Sequence, residues 1–438
     1  VKTLLQDARE LAVSTQNRDA LDRYEAAVER FLSGRGDALT AIESVLADAP
    51  DFAAAQCLRA AAWVSSGERP HERALREAIA TIDRAGGRAN ERERRHLAAA
   101  RAWLSGDATL ALARYGAIVS DFPRDAVALQ VAHILDFRLG RRESLRDRLL
   151  FVLPHWHAGL PGYGTVLGLL AFGHGENGDY ARAHATALQA LAVDPHNAPA
   201  MHAVAHVFEM RGLVHEGIAW MESTRGIWEE NAAYARHMAW HLALFQIELD
   251  RVGDAFAVYD LLIGPSASRS TKALVDASAL LWRLALRGHR NCARWRALAQ
   301  AWGETRLRGQ RAFNLVHAVI ALASAGELGP ARRAATLLAE DVATRRSNTA
   351  EDLALGIRLS HGLLAFVEQD YARALEALRA VRASAQRCGG SVAQCDLIRL
   401  TLVEAALRAE QARLARPLAD TCRASIAGSR RRSDAVAA

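Results

Sequence analysis

The chain has 438 residues, 51% hydrophobic and 24% charged, with a formal charge of +6 and a pI near 9.3. That length exceeds one ordinary globular core, the composition excludes wholesale disorder, and no apolar run reaches the roughly eighteen residues of a membrane span. Nor does the charge read as a nucleic-acid surface: only Lys2 and Lys272 are lysines, and arginines alternate with acids, as in Glu91-Arg92-Glu93-Arg94-Arg95.

No nucleic-acid and no membrane partner is therefore expected. The opening VKTLLQDARELAVSTQ lacks the organisation of a signal peptide, so a cytoplasmic protein is the default expectation. Cys57, Cys292, Cys388, Cys395 and Cys422 are odd in number, dispersed and free of any CxxC pair. This fits reduced thiols and argues against a disulfide framework or a thiolate zinc site.

Along the chain the apolar residues keep a helical period, and no window alternates as a strand would. An all-α chain is predicted. Its clearest unit, Gly164 to Asn197, has a first helix, a Gly178-Asp179-Tyr180 turn, and a second helix carrying the small residues Ala183, Ala187 and Ala190. That is the tetratricopeptide pattern. Similar turns recur at Gly36, Gly67, Gly106, Gly140, Gly178, Gly212, Gly253, Gly288, Gly326 and about Gln369, between 31 and 43 residues apart.

The expected architecture is thus a tetratricopeptide-like helical-repeat superhelix, an α-solenoid of about eleven helix pairs, long enough to close around a central pocket. Residues 1–427 are expected to form one continuous solenoid, and 428–438, with Arg430 to Arg432, a disordered basic tail. Leu153 to Gly164 reads as an insertion marked by proline and glycine.

The most chemically loaded stretch is Met201 to Ile247. His202 and His206 are four residues apart, as are His237 and His241, so each pair shares a helix face with Glu209 on the first of them. The two pairs fall on neighbouring first helices. Measured from Gly212 and Gly253, however, His206 and His241 are staggered by roughly 9 Å along the helix axes, at about 1.5 Å per residue.

Imidazoles with a carboxylate suit zinc, iron, cobalt, nickel or manganese. His202, His206, Glu209, His237 and His241 are the candidate ligands, with Glu209 and His241 the candidate catalytic groups. Trp240, Asp276, His317 and Tyr163 are expected to line the pocket, and Glu248 to stand behind His241 or on a solvated face. A metal-free polar pocket and plain packing of histidines between helices remain open alternatives. No GxSxG elbow, dinucleotide fingerprint or phosphate loop occurs, so no nucleotide cofactor is expected.

Several segments resemble the tetratricopeptide repeat protein 38 family. They are LPHWHAGLPGYGTVLGLLAFGHGENGDY, HAVAHVFEMRGLVHEGIAWM, RHMAWHLALFQIE, YDLLI, LVDASALLWRL, RAFNLVHAVIALA and GGSVAQCDLIRLTLVEAALR, in order between about Ala38 and Ala409. The resemblance implies a superhelix of tetratricopeptide-like pairs and implies little about activity. His202, His206, Glu209, His237, His241, Asp276 and His317 match the family pattern. Met238, Ala239, Leu315, Val392 and Cys395 depart from it, as in a divergent member.

Together these readings predict a bacterial-looking helical-repeat protein with a His/Glu-lined internal pocket: a metal-dependent enzyme acting on a small molecule by hydrolytic or oxidative chemistry. The alternative is a non-enzymatic tetratricopeptide-repeat scaffold that binds a peptide or protein partner.

Overall fold

The computed structural model describes residues 4–66, 72–84, 89–231, 233–307, 310–344, 350–411, 413–415 and 418. Gly67, Cys422 and the tail at 428–438 lie outside the described residues. Contacts divide the chain into two compact units, one of residues 1–204 and 230–234, the other of 205–229 and 235–438.

The first unit opens with a short antiparallel pair, β1 (Leu5–Gln6) and β2 (Ala12–Val13). Two residues per strand carry too little alternation to register in sequence. Helices follow: α1 (Arg18–Ser33), α2 (Ala38–Asp48), α3 (Ala53–Ser66), α4 (Glu72–Arg84), α5 (Glu91–Leu104), α6 (Ala108–Asp121), α7 (Ala126–Arg138), α8 (Arg142–Val152), α9 (Tyr163–Glu176) and α10 (Tyr180–Val193). The insertion after α8 contains a single 3-10 turn, Leu153–His155.

Polar caps start the helices where the sequence places them. Asn90 caps α5 with a capping box to Glu93, and Asp107, Asp125 and Asp179 cap α6, α7 and α10. Ala183, Ala187 and Ala190 are fully buried, so α10 approaches α9 closely. Between the helices lies a buried ionic knot. Asp125 receives Arg92 at 2.6 Å and His96 at 2.8 Å, and together they pull its carboxyl far below the usual range despite its burial. Residues 230–234 belong here because Asn231 donates to the Ser33 carbonyl at 3.0 Å and accepts from the backbone of Ala233 and Tyr234.

α11 (Ala198–Arg211) is one unbroken helix in which the division falls, after Val204. The second unit continues with α12 (Val214–Ser223), the single turn α13 (Arg225–Trp228), α14 (Ala235–Glu248), α15 (Val252–Val258), α16 (Thr271–Leu286), α17 (Cys292–Gly303), α18 (Ala312–Ser324), α19 (Leu328–Thr344), α20 (Ala350–Val367), α21 (Tyr371–Val381) and α22 (Val392–Arg408). A π-helical turn, Tyr259–Ile263, extends α15. From α16 to α22 each helix packs on the next, and α14, α16, α18 and α20 also pack in series. That nearest-neighbour pattern is what an α-solenoid requires, so the expected all-α helical-repeat class is the one observed. α22 additionally packs on α16: Trp282 Nε1 donates to Thr401 Oγ1 at 2.8 Å, and Arg283 donates to the Ala393 carbonyl at 2.7 Å.

The turn glycines fall as expected, with positive φ at Gly36, Gly106, Gly140, Gly178, Gly212, Gly288 and Gly326, and at Gln369. Gly253 is a correction. It is the second residue of α15, and the left-handed residue of that turn is Asp250, at φ 61°. Aspartate tolerates this region better than most side chains, so the turn needs no glycine. The expected stagger of the histidines shrinks accordingly: His206 precedes its turn residue by six positions and His241 by nine. At about 1.5 Å per residue the offset is roughly 4.5 Å, without an extended or kinked helix.

Candidate metal centre

His206 and Glu209 stand on α11, His237, Trp240 and His241 on α14, and Asp276 on α16, all within the second unit. α14 is buried from His237 to Ile247 because it is flanked by α12 and α16. Its polar side chains must therefore find partners inside the protein.

They find each other. One nitrogen from each of His206, His237 and His241 lies within 4.8 Å of the others. The His206 and His241 ring centroids are 4.6 Å apart, and those of His237 and His241 4.9 Å. Nitrogens bound to one ion at about 2.0–2.1 Å sit about 3.4 Å from one another, so rotations of the imidazoles would close the set on a metal. His202 precedes His206 by one turn of the same helix. It lies at the end of the first unit, where its ring stacks on Phe172 at 5.4 Å and leans on Tyr234 at 5.6 Å.

Two carboxylates fix the rings. Glu209 Oε2 is 2.6 Å from His241 Nδ1, and Asp276 Oδ2 is 3.0 Å from His237 Nδ1. A carboxylate accepts, so each Nδ1 carries the proton and each Nε2 is left as the donor atom for a metal. Glu209 thus stands behind His241, and the cluster of ligand atoms is made of imidazoles. Asp276 is the counterpart of Glu209 for His237.

Burial favours the neutral form of His206 and His237. His206 is held well below its ordinary value, first by burial and then by His241 and His237. Burial also lowers His237, against the pull of Asp276. Asp276 resists the upward push of burial because His237 and Lys272 face it, and it stays below the usual range. Neutral imidazoles are the form that binds metal.

Around this group Trp240 is fully buried and stacks on His237, with ring centroids 5.3 Å apart and planes 9° apart. His317, on α18, is buried with Nδ1 2.7 Å from the Phe313 carbonyl. Glu248 pairs with Arg287, and burial pushes it up to about 7. Tyr163 begins α9, in the first unit. Two cavities, of about 370 and 490 Å³, lie elsewhere, one beside Arg379, Arg382 and Leu418, the other beside Glu43, Gln56 and Arg59; none of the histidines lines either.

Sequence reasoning missed Gln394 and Arg283. Gln394 Nε2 donates to Asp276 Oδ1 at 3.4 Å while its Oε1 accepts from Ser391 in the capping box of α22. The S-x-x-Q spacing was its only sequence signal. Arg283 is an arginine inside an apolar helix, a signal in its own right.

No protein-family model matches the chain. A solved structure of Naa15/Naa10 bound to HypK-THB is similar at a TM-score of 0.35 and 17% identity, over 92% of this chain and 73% of that one. Among the described residues no helix is long and apolar enough to cross a membrane.

Proposed function

We propose that this helical-repeat protein binds a divalent transition metal through Nε2 of His237 and His241 and one ring nitrogen of His206. The observation that carries this is the pair of carboxylates behind the rings, Glu209 on His241 and Asp276 on His237. Packing alone would be served as well by any neutral partner, whereas carboxylate–imidazole pairs orient and enrich a metal-ligating nitrogen. Three imidazoles suit zinc, iron, cobalt or manganese and leave a coordination position for water or substrate, which supports a metal-dependent enzyme acting on a small molecule by hydrolytic or oxidative chemistry. The resemblance to the tetratricopeptide repeat protein 38 family is compatible with this reading.

The test is elemental analysis of protein purified without a histidine tag and reconstituted with each metal in turn, beside His206→Ala. Stoichiometric metal lost in the variant supports the proposal; no stoichiometric metal in the unaltered chain refutes it. Cobalt substitution then tests for the open coordination position, since an open centre changes its visible spectrum with azide and a closed one does not.

A second reading, a scaffold for a protein partner, is favoured by the first unit. Leu110, Leu150, Phe151, Leu188 and Val193, on the second helices α6, α8 and α10, are each 40–52% exposed. Apolar side chains repeated on successive second helices suit a protein surface better than water. A protein that copurifies stoichiometrically, and is released by Phe151→Glu, is the expected result of that reading.

A further inference from the structure

Arg283, on α16, is a buried cation with no ion pair among the described residues. It is 5% exposed, its guanidinium donates only to the carbonyls of Ala393 and Ala279, at 2.7 and 3.2 Å, and its Cζ lies 5.1 Å from the Trp240 ring centroid. The carboxylates within electrostatic reach are Asp396, Glu209 and Glu248. Each is engaged elsewhere: Asp396 with Arg399 at 3.2 Å, Glu209 with His241, and Glu248 with Arg287. Leaving a buried guanidinium with two carbonyls and no counter-charge is costly, and a bound anion would offset that cost.

Three further buried polar atoms near it meet no hydrogen-bond partner among the described residues: Trp240 Nε1, His317 Nε2 and Asp396 Oδ2. Trp240 is in contact with Arg283, and His317 and Asp396 are within its electrostatic reach. Their chemistry is mixed. The indole N–H can only donate. The Phe313 carbonyl can only accept, so His317 Nδ1 carries the proton and Nε2 presents a lone pair. Asp396 Oδ2 is an acceptor too. Buried groups of this kind are few in native proteins, and each calls for water or a ligand.

We propose that Arg283 anchors a ligand site in the second unit for a small organic acid bearing a hydrogen-bond donor beside its carboxylate, either a hydroxy acid or an amino acid. The carboxylate sits on Arg283 and Trp240 Nε1–H, and the hydroxyl or ammonium donates to His317 Nε2 or Asp396 Oδ2. A plain anion would leave both acceptors unmet, and a plain amine would leave the guanidinium unmet. The site stands on these polar atoms and does not require the metal.

The test therefore uses metal-free protein, treated with chelator and desalted. Glycolate and glycine, the smallest molecules of the two kinds, are titrated beside acetate, with calorimetry and with ¹H–¹⁵N spectra of the indoles, the Trp240 signal being assigned from Trp240→Phe. A saturable shift of that signal by glycolate or glycine is expected, with acetate at least tenfold weaker; the tighter of the two identifies the class. Trp240→Phe, which removes the donor and little else, should weaken binding about fivefold, and Arg283→Lys more than tenfold. No saturable shift with either acid overturns the proposal, as do acetate binding equally well, Trp240→Phe binding unchanged, or binding that appears only when metal is restored. Should Arg283→Lys fail to fold, Trp240→Phe decides.

Discussion

His241 Nδ1 lies 2.6 Å from Glu209 Oε2, across from α14 to α11. This bond makes a carboxylate the orienting partner of a proposed metal ligand. Glu209→Gln keeps the shape and an acceptor oxygen while removing the charge that enriches the ring. Metal affinity should fall about 10- to 100-fold, as it does when such partners are lost elsewhere. Competition with a chromophoric chelator measures it; unchanged affinity would show that Glu209 serves packing alone.

Asp276 plays the same part for His237 and is more deeply buried, at 1% exposure. Asp276→Asn should therefore weaken metal binding by a similar factor. It should also destabilise metal-free protein by about 1–3 kcal/mol, because a buried amide cannot satisfy both His237 and Gln394 as the carboxylate does. Urea melts of the metal-free forms separate the two effects.

His133 supplies a pH signature independent of the metal. Burial, and then the charge of Arg148, pull it from 6.5 down to about 3. The unfolded chain therefore takes up a proton below about pH 6.5 that the folded form refuses, and this contribution to stability is lost as pH falls. His133→Gln has no such proton to gain. Relative to it, the unaltered chain should lose about 1.4 kcal/mol per pH unit between about pH 6 and pH 4. Parallel stability curves for the two would show that His133 titrates normally.

Glycines test the closeness of packing. A Cβ at Gly173 would lie 2.6 Å from the Leu145 carbonyl oxygen, a backbone atom that cannot step aside, whereas a Cβ at Gly303 meets nothing within 4 Å. Gly173→Ala should cost about 1–3 kcal/mol. Gly303→Ala should be neutral or stabilising by up to about 1 kcal/mol. Equal thermal denaturation midpoints for the two would contradict the α8–α9 contact.

Much of the fold was legible because its punctuation is local. Gly106, Gly140 and Gly178 each hold a positive φ that a turn between two helices demands, and Asp107 and Asp179 cap the helices that follow. Among the described residues the misplaced turn, at Gly253, arose where Asp250 adopts the left-handed conformation instead. Of the site, the histidines were visible because i and i+4 share a helix face. The pairings were not: Asp276, expected only to line a pocket, is 39 residues from His237, and only packing of α14 on α16 brings the two together. Glu209 was found by its face and grouped with His241, but a sequence cannot say which ring a carboxylate will meet.

The last partner of Asp276 has a consequence in time. Gln394 follows it by 118 residues. During synthesis, His206, His237, His241 and both orienting carboxylates leave the ribosome well before α22 exists to fold back on α16. An ion arriving then would meet a half-supported site, and its hold would tighten only when the translated chain had reached that helix.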